Sequence, residues 1–241
     1  MLALLKKEIA NFFSSAIGYL VVGVFLTLTG LLLWVFPGNY NIIDSGYAQV
    51  DGLFSLAPFL YLFLIPAITM RLFAEEKRNG TLELLFTRPL SKWQIVFAKY
   101  LAGLILVLVS LLPTIVYFIS VSLMAEPIGN VDSGGFWGSF IGLFLLASVY
   151  VGIGVYASSL TDNQITAFIL SVSLSFVLYF GFDLIASLIL SGEKQLFVQS
   201  LGLNDHYKAM SRGVLDSRDV VYFFSVIGVF LLGTRWNVRA R

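Results

Sequence analysis

The sequence predicts an all-α, polytopic membrane protein, and three observations carry that reading. The 241-residue chain is 58% apolar and only 12% charged, with a mean hydropathy of +0.89, whereas a soluble domain runs about half apolar and about a quarter charged. Its charges are clustered: none lies between Glu8 and Asp44, Asp51 and Arg71, Lys99 and Glu126, Asp132 and Asp162, Asp162 and Asp183, or Asp219 and Arg235. Most of these gaps suit a helix crossing hydrocarbon, which takes roughly 20 residues at about 1.5 Å each.

Taken in order, residues 1–15 come first. Leu2, Leu5, Ile9, Phe12 and Phe13 recur at helical spacing, with Lys6, Lys7 and Asn11 on another face, so an amphipathic helix in the inner headgroup layer is expected. It serves either as an anchor or as a lever joining the first span to the loop after the second. A cleaved secretory signal is excluded by Glu8 in the would-be basic region, by the length of the apolar run and by the lack of a small-x-small site. Spans follow near residues 17–36, 52–70, 100–124, 136–160, 165–190 and 220–234. The sixth is short, and requires Arg235 to snorkel or the helix to begin inside the preceding loop. Kinks are expected at Pro58, Pro66 and Pro113.

Eleven of the fifteen Lys and Arg residues fall on one side of this arrangement, leaving Lys194, Lys208, Arg212 and Arg218 on the other. The positive-inside rule then places both termini in the cytoplasm. Trp34 and Trp137 mark the outer boundary, and Trp93 and Trp236 the inner one. Residues 1–241 form a single transmembrane domain whose aqueous segments are a cytoplasmic loop, 71–99, and an external loop, 191–219. The external loop is too polar to span, yet Leu196, Phe197, Val198, Leu201 and Leu203 predict short interfacial helices there, with breaks at Gly192 and Gly202. Gly134, Gly138 and Gly142 form a small-residue series leading into the fourth span, suited to packing within one subunit or to pairing between subunits.

The cytoplasmic loop reads as helix, elbow, helix. A helix leaving the second span can run through Arg78, Gly80 suits a left-handed position, and Thr81 can cap a short helix over residues 82–86. Pro89 then breaks the chain, and Ser91-Lys92-Trp93-Gln94 has capping-box spacing ahead of the third span.

The stretch Glu76-(three residues)-Gly80-Thr81-Leu82-Glu83-x-Leu85, followed by Pro89-Leu90 and later Lys99, resembles the cytoplasmic motif of ABC-2-type transport permeases. Six spans, an amphipathic N-terminal helix and a long loop before the last span are similar to that family as well. Within it the chain looks most like gliding-motility-associated permease subunits, on the strength of Leu203-Asn204-Asp205-His206-Tyr207 and residues 212–222. The resemblance implies a bacterial inner-membrane permease subunit whose loop docks on a cytoplasmic ABC ATPase. Residues 75–83 would form the coupling helix and elbow, with Glu75, Glu76, Arg78, Gly80, Thr81, Leu82 and Glu83 as the coupling residues. ATP and Mg would be bound by that ATPase, and no cofactor by this chain. The resemblance also implies a second permease-type subunit with a large external domain, in a heteromer rather than a homodimer.

The residues themselves leave other readings open. The loop is otherwise an ordinary basic interface helix, and the chain a passive anchor for an external machine. A membrane enzyme built on Asp183 or His206 is the remaining rival, since ionisable groups in spans are functional by default. Yet the sequence has no P-loop, no H-E-x-x-H, no G-x-S-x-G, one histidine and no cysteine, which removes nucleotide phosphate cradling and the usual hydrolase and thiolate sites. A net charge of +1 gives no electrostatic footprint for nucleic acid. Spans almost free of buried charge favour a lipid-linked, polymeric or polypeptide cargo, or mechanical coupling without cargo, over small ions.

Overall fold

The computed structural model describes residues 1–87, 89–189 and 192–238, and every regular element among them is helical. Helix α1 (Leu2–Ser14) leads through Ser15 into α2 (Ala16–Trp34), the first membrane-length helix. A short turn, α3 (Ile42–Ser45), capped by the Asn41 side chain, connects to α4 (Asp51–Thr69), which continues past Met70 as α5 (Arg71–Arg78). The elbow helix α6 (Thr81–Phe86) precedes α7 (Lys92–Leu111) and α8 (Ile115–Met124), which together make the third span. Next come α9 (Ser133–Leu160) and the fifth span, formed by α10 (Gln164–Phe176), a π-helical turn at Val177–Gly181 and α11 (Phe182–Ser187). Two short helices, α12 (Gly192–Gln199) and α13 (Leu203–Ser211), lead to α14 (Ser217–Asn237).

Six helices are thus long and apolar enough to cross a membrane, at the places where the charge gaps put them. The sixth spans by starting early, at Ser217, inside the preceding loop, capped by the Asp216 carboxylate on Arg218 N. Helix α4 passes through Pro58 and Pro66 without interruption, while Pro113 breaks the third span into a 3-10 turn, Leu112–Thr114. The two short helices anticipated in the external loop are present, and Leu196 and Phe197 are two-thirds exposed on α12. Leu190, Ser191, Arg88, Arg239, Ala240 and Arg241 lie outside the described residues, so three of the eleven bases and one edge of the expected 191–219 loop do too.

The centre of the bundle is α9, where Val149, Tyr150, Val151, Ile153 and Val155 are all fully buried. A helix apolar on every side belongs inside, and α4, α5, α7, α10, α13 and α14 all pack on this one. Lipid offers no hydrophobic drive between helices, so close approach at small residues does the work. At Gly138 an added Cβ would stand 2.6 Å from Met210 O and 2.8 Å from Gly213 Cα, and at Gly142 it would press on Met210 and Tyr207. The glycine series is therefore an internal groove that receives α13. Interhelical hydrogen bonds add register: the Tyr61 and Ser110 hydroxyls meet at 2.9 Å, and Tyr207 Oη donates to Phe54 O at 2.6 Å. Burial, with Tyr179 nearby, holds the Tyr207 hydroxyl well above its ordinary pKa, so it stays a donor.

Both ends of the chain meet α7. Lys99 of α7 pairs with Glu8 of α1, and the Arg235 guanidinium lies 5.0 Å from the Trp93 ring centroid. The described bases Lys6, Lys7, Arg71, Lys77, Arg78, Lys92, Lys99 and Arg235 share this basic end, and α12 and α13 occupy the far end.

Candidate functional site

At the basic end three helices converge on one buried ammonium. The third span, Lys92–Met124, has 33 residues and so extends about 50 Å against a hydrocarbon core of about 30 Å. Lys99 sits two turns from its start, and it is fully buried. Its Nζ donates to Glu8 Oε1 at 2.9 Å and to Leu72 O at 2.6 Å, and lies 5.0 Å from the Phe73 ring centroid. Glu76 Oε2 is also 2.9 Å from Nζ, off the hydrogen-bonding axis, so that contact is an ion pair without a directed bond. Glu76 Oε1 accepts from Lys7 Nζ at 3.3 Å. Glu8 and Lys7 belong to α1, Glu76 and Leu72 to α5, and Lys99 to α7.

Helix α1 is amphipathic as expected, with Leu5, Ile9, Phe12 and Phe13 against the bundle and Lys6, Lys7 and Asn11 exposed, but Glu8 lies in its buried stripe and Leu2 does not. The deepest positions are Leu4, Glu8 and Phe12, with a charge at their middle, whereas Leu2 is 71% exposed. A carboxylate among apolar positions is tolerated because Lys99 neutralises it; unpaired, it would cost several kcal/mol. Arg71 completes the contact, donating to Ser15 Oγ at 2.9 Å with its guanidinium 5.0 Å from the Phe12 ring centroid.

The opposite side of α5 is fixed to α9. Ser158 Oγ donates to Met70 O at 2.8 Å and accepts from Phe73 N at 2.9 Å and Ala74 N at 3.0 Å, bracing the point where α4 becomes α5. Lys77 Nζ donates to Ser159 O. The helix then ends at Asn79, and Gly80 adopts φ 68°, ψ 8°, the left-handed region that penalises a Cβ. Thr81 is not the cap: it is the first residue of α6 after Gly80, and its hydroxyl turns back to Glu76 O at 3.4 Å. Ser91 and Gln94 form the anticipated capping box at the start of α7.

Of the seven coupling candidates, the structure leaves Glu75, Arg78, Gly80, Thr81 and Glu83 exposed around the elbow, and turns Glu76 and Leu82 inward. Leu84 is exposed and Leu85 buried, so α6 packs on one side only. Sequence reasoning missed Glu8, Lys7, Ser158 and the burial of Lys99. A Glu at the i+4 midpoint between Leu4 and Phe12 was the available signal.

The family described as "ABC-2 family transporter protein" matches residues 2–232. The chain belongs to it. A similar protein is the "Probable ABC transporter permease protein NosY" of Pseudomonas aeruginosa, 31% identical over 148 residues, which cover 60% of this chain and 54% of that protein. The chain thus spans about half the length of the curated relative it matches. Membership makes the chain a transporter-family membrane protein with six membrane-length helices.

The two residues on which an enzyme would rest sit at helix joints in this ABC-2 fold. Asp183 Oδ2 accepts from Asn204 Nδ2, tying α11 to α13. His206 Nδ1 is 2.6 Å from Asp219 Oδ1, its Nε2 donates to Ser200 O at 2.9 Å, and its ring stacks on Tyr222 with centroids 3.8 Å apart. Both nitrogens are thus engaged in joining α13 to its neighbours.

Proposed function

We propose that this ABC-2 chain is the permease subunit through which a cytoplasmic ATPase does export or mechanical work, with the exposed elbow at residues 75–83 as its docking surface and α1 as part of the lever. The observation that carries the reading is the Glu8–Lys99–Glu76 cluster. It joins the elbow helix α5 to α1 and to the third span, while Ser158 joins α5 to the central helix. A push on the elbow therefore reaches α2, α7 and α9 together, because packed elements shift as units rather than bending. In this reading both termini face the cytoplasm of a bacterial inner membrane, ATP and Mg sit on the ATPase, and Glu75, Arg78, Gly80, Thr81 and Glu83 meet it. Glu76 and Leu82 act from behind, holding the elbow to the bundle.

The finer assignment is a gliding-motility subunit similar to GldF, acting in gliding or its associated secretion beside a second permease-type subunit with a large external domain. The residues 203–207 and 212–222 that suggest it lie in the first half of α13, the turn after it and the start of α14, the face that such a domain would cover.

The test is co-purification with the cognate ATPase, followed by hydrolysis assays. Gly80→Val strains the left-handed elbow while leaving open space around the new side chain, so association persists and stimulation of hydrolysis falls. Glu83→Lys weakens association and makes it more salt-sensitive. Unchanged association and stimulation in both variants would leave a passive anchor.

A further inference from the structure

We propose that the far end of the bundle carries a binding site for the headgroup of a zwitterionic phospholipid, with Lys208 on its phosphate and Asp51 on its ammonium. The site is a cavity of about 370 Å³ between α4, the π-helical turn of the fifth span and α13. It is a half-open pocket at the end of the bundle, with Asp51 and Lys208 exposed at its edge.

Three features fix the class of ligand. The walls combine one cation, Lys208, and one carboxylate, Asp51, with the rings of Tyr179, Phe180 and Tyr207 and the amide of Asn204. An ammonium matches a carboxylate among aromatic faces, and a phosphate matches a lysine. An anionic headgroup would leave Asp51 opposed by like charge, and an uncharged sugar would leave Lys208 unmatched.

The second feature is unmet hydrogen-bonding capacity directly behind the lining. The Tyr150 hydroxyl and Asp183 Oδ1 are buried without a partner among the described residues. Tyr150 is fully buried with its ring edge-on to Tyr179, centroids 6.4 Å apart, and the other Asp183 oxygen holds Asn204. Buried polar groups are costly unless paired, so the wall behind Tyr179, Tyr207 and Asn204 is polar rather than greasy. The wall itself is the π turn Val177–Gly181, a distortion concentrated at functional sites.

The third feature is position. Asp51 begins α4 and Lys208 lies on α13, so the cavity opens where a span ends. Its rim includes the half-exposed Phe59, which packs on Phe180 at 5.3 Å, and below it Phe63, Phe176 and Val177 are exposed along α4 and the fifth span. Acyl chains of a lipid held at Lys208 and Asp51 would lie along that strip.

The experiment is native mass spectrometry of the purified full-length chain after exchange into phosphatidylethanolamine, phosphatidylglycerol or dioleoylglycerol. Wild type is expected to retain phosphatidylethanolamine over the other two. Lys208→Gln and Asp51→Asn are each expected to lower that retention about tenfold, the loss of one charge-assisted contact. Equal or better retention of phosphatidylglycerol in wild type would overturn the zwitterionic assignment, and that comparison stands even if a variant fails to fold. Full displacement by an equal concentration of soluble glycerophosphoethanolamine would overturn the lipid as its source. Retention undiminished in both variants would overturn the site.

Discussion

Replacing Lys99 by Met is the most revealing single perturbation of this molecule. Its Nζ lies 2.9 Å from both Glu8 and Glu76 and is fully buried, with 7% and 11% of the two acidic side chains exposed. At an effective dielectric of about 20, each contact carries roughly 6 kcal/mol of Coulomb energy, most of it offset by desolvation. Removing the cation strands two carboxylates beside each other, and breaking a buried pair in this way costs about 3–5 kcal/mol. The cheapest escape is for α1 to lift off, because Glu8 then reaches water, and the loss of the half-exposed Lys7–Glu76 pair that this entails costs little. The native chain has no cysteine, so a single Leu4→Cys reports docking cleanly: Leu4 is 6% exposed against the bundle. Lys99→Met in that background should raise the thiol labelling rate by about 10² to 10³-fold, since every 1.4 kcal/mol is tenfold. Neutralising all three as Glu8→Gln, Lys99→Met and Glu76→Gln should recover much of the loss, because no buried charge is then left unpaired and Lys7 is half-exposed to water. A labelling rate that Lys99→Met leaves unchanged would refute the account of how α1 is held.

Three further outcomes follow from the same geometry. Ser158→Ala removes one donor and one shared acceptor at the joint between α4 and α5, and should cost about 1–3 kcal/mol in unfolding assays while leaving the spans in place. Gly138→Val drives a side chain into Met210 O and Gly213; overpacking of about 1–3 kcal/mol should loosen α13 and speed hydrogen exchange in residues 203–211. Single cysteines at Asn79 and Asn237 should label only from the cytoplasm and one at Lys194 only from outside, whereas Asn204 is a poor reporter because it is buried against Asp183.

What the sequence disclosed was mostly local. Spans announce themselves through uncharged runs, Gly80 through the need for a left-handed residue between two helices, and the Ser91–Gln94 box through spacing alone. The far-end helices were legible because Leu196 and Phe197 lie between the Gly192 and Gly202 breaks and Leu203 follows the second. The ion cluster was not, since Glu8 and Lys99 are 91 positions apart and nothing in either neighbourhood names the other. Periodicity placed Leu5, Ile9, Phe12 and Phe13 on the packed face of α1, but it also put Leu2 there, which is exposed, and gave no sign that Glu8 is buried among them. Thr81 was misread for a related reason, because its N-capping chemistry is real but Gly80 already holds that place. Whether the small residues at 134–142 serve pairing or packing depended on a helix 70 residues away, α13.

The central claim is that α1 and the elbow move as one body. Pulsed electron paramagnetic resonance on the reconstituted complex measures it, with spin labels paired at Lys6 and Asn79 and, separately, at Asn79 and Lys194. On ATP binding the Lys6–Asn79 distance should stay fixed while the Asn79–Lys194 distance shifts. A Lys6–Asn79 distance that changes as much as the other pair would show the elbow moving without α1, and would contradict the claim.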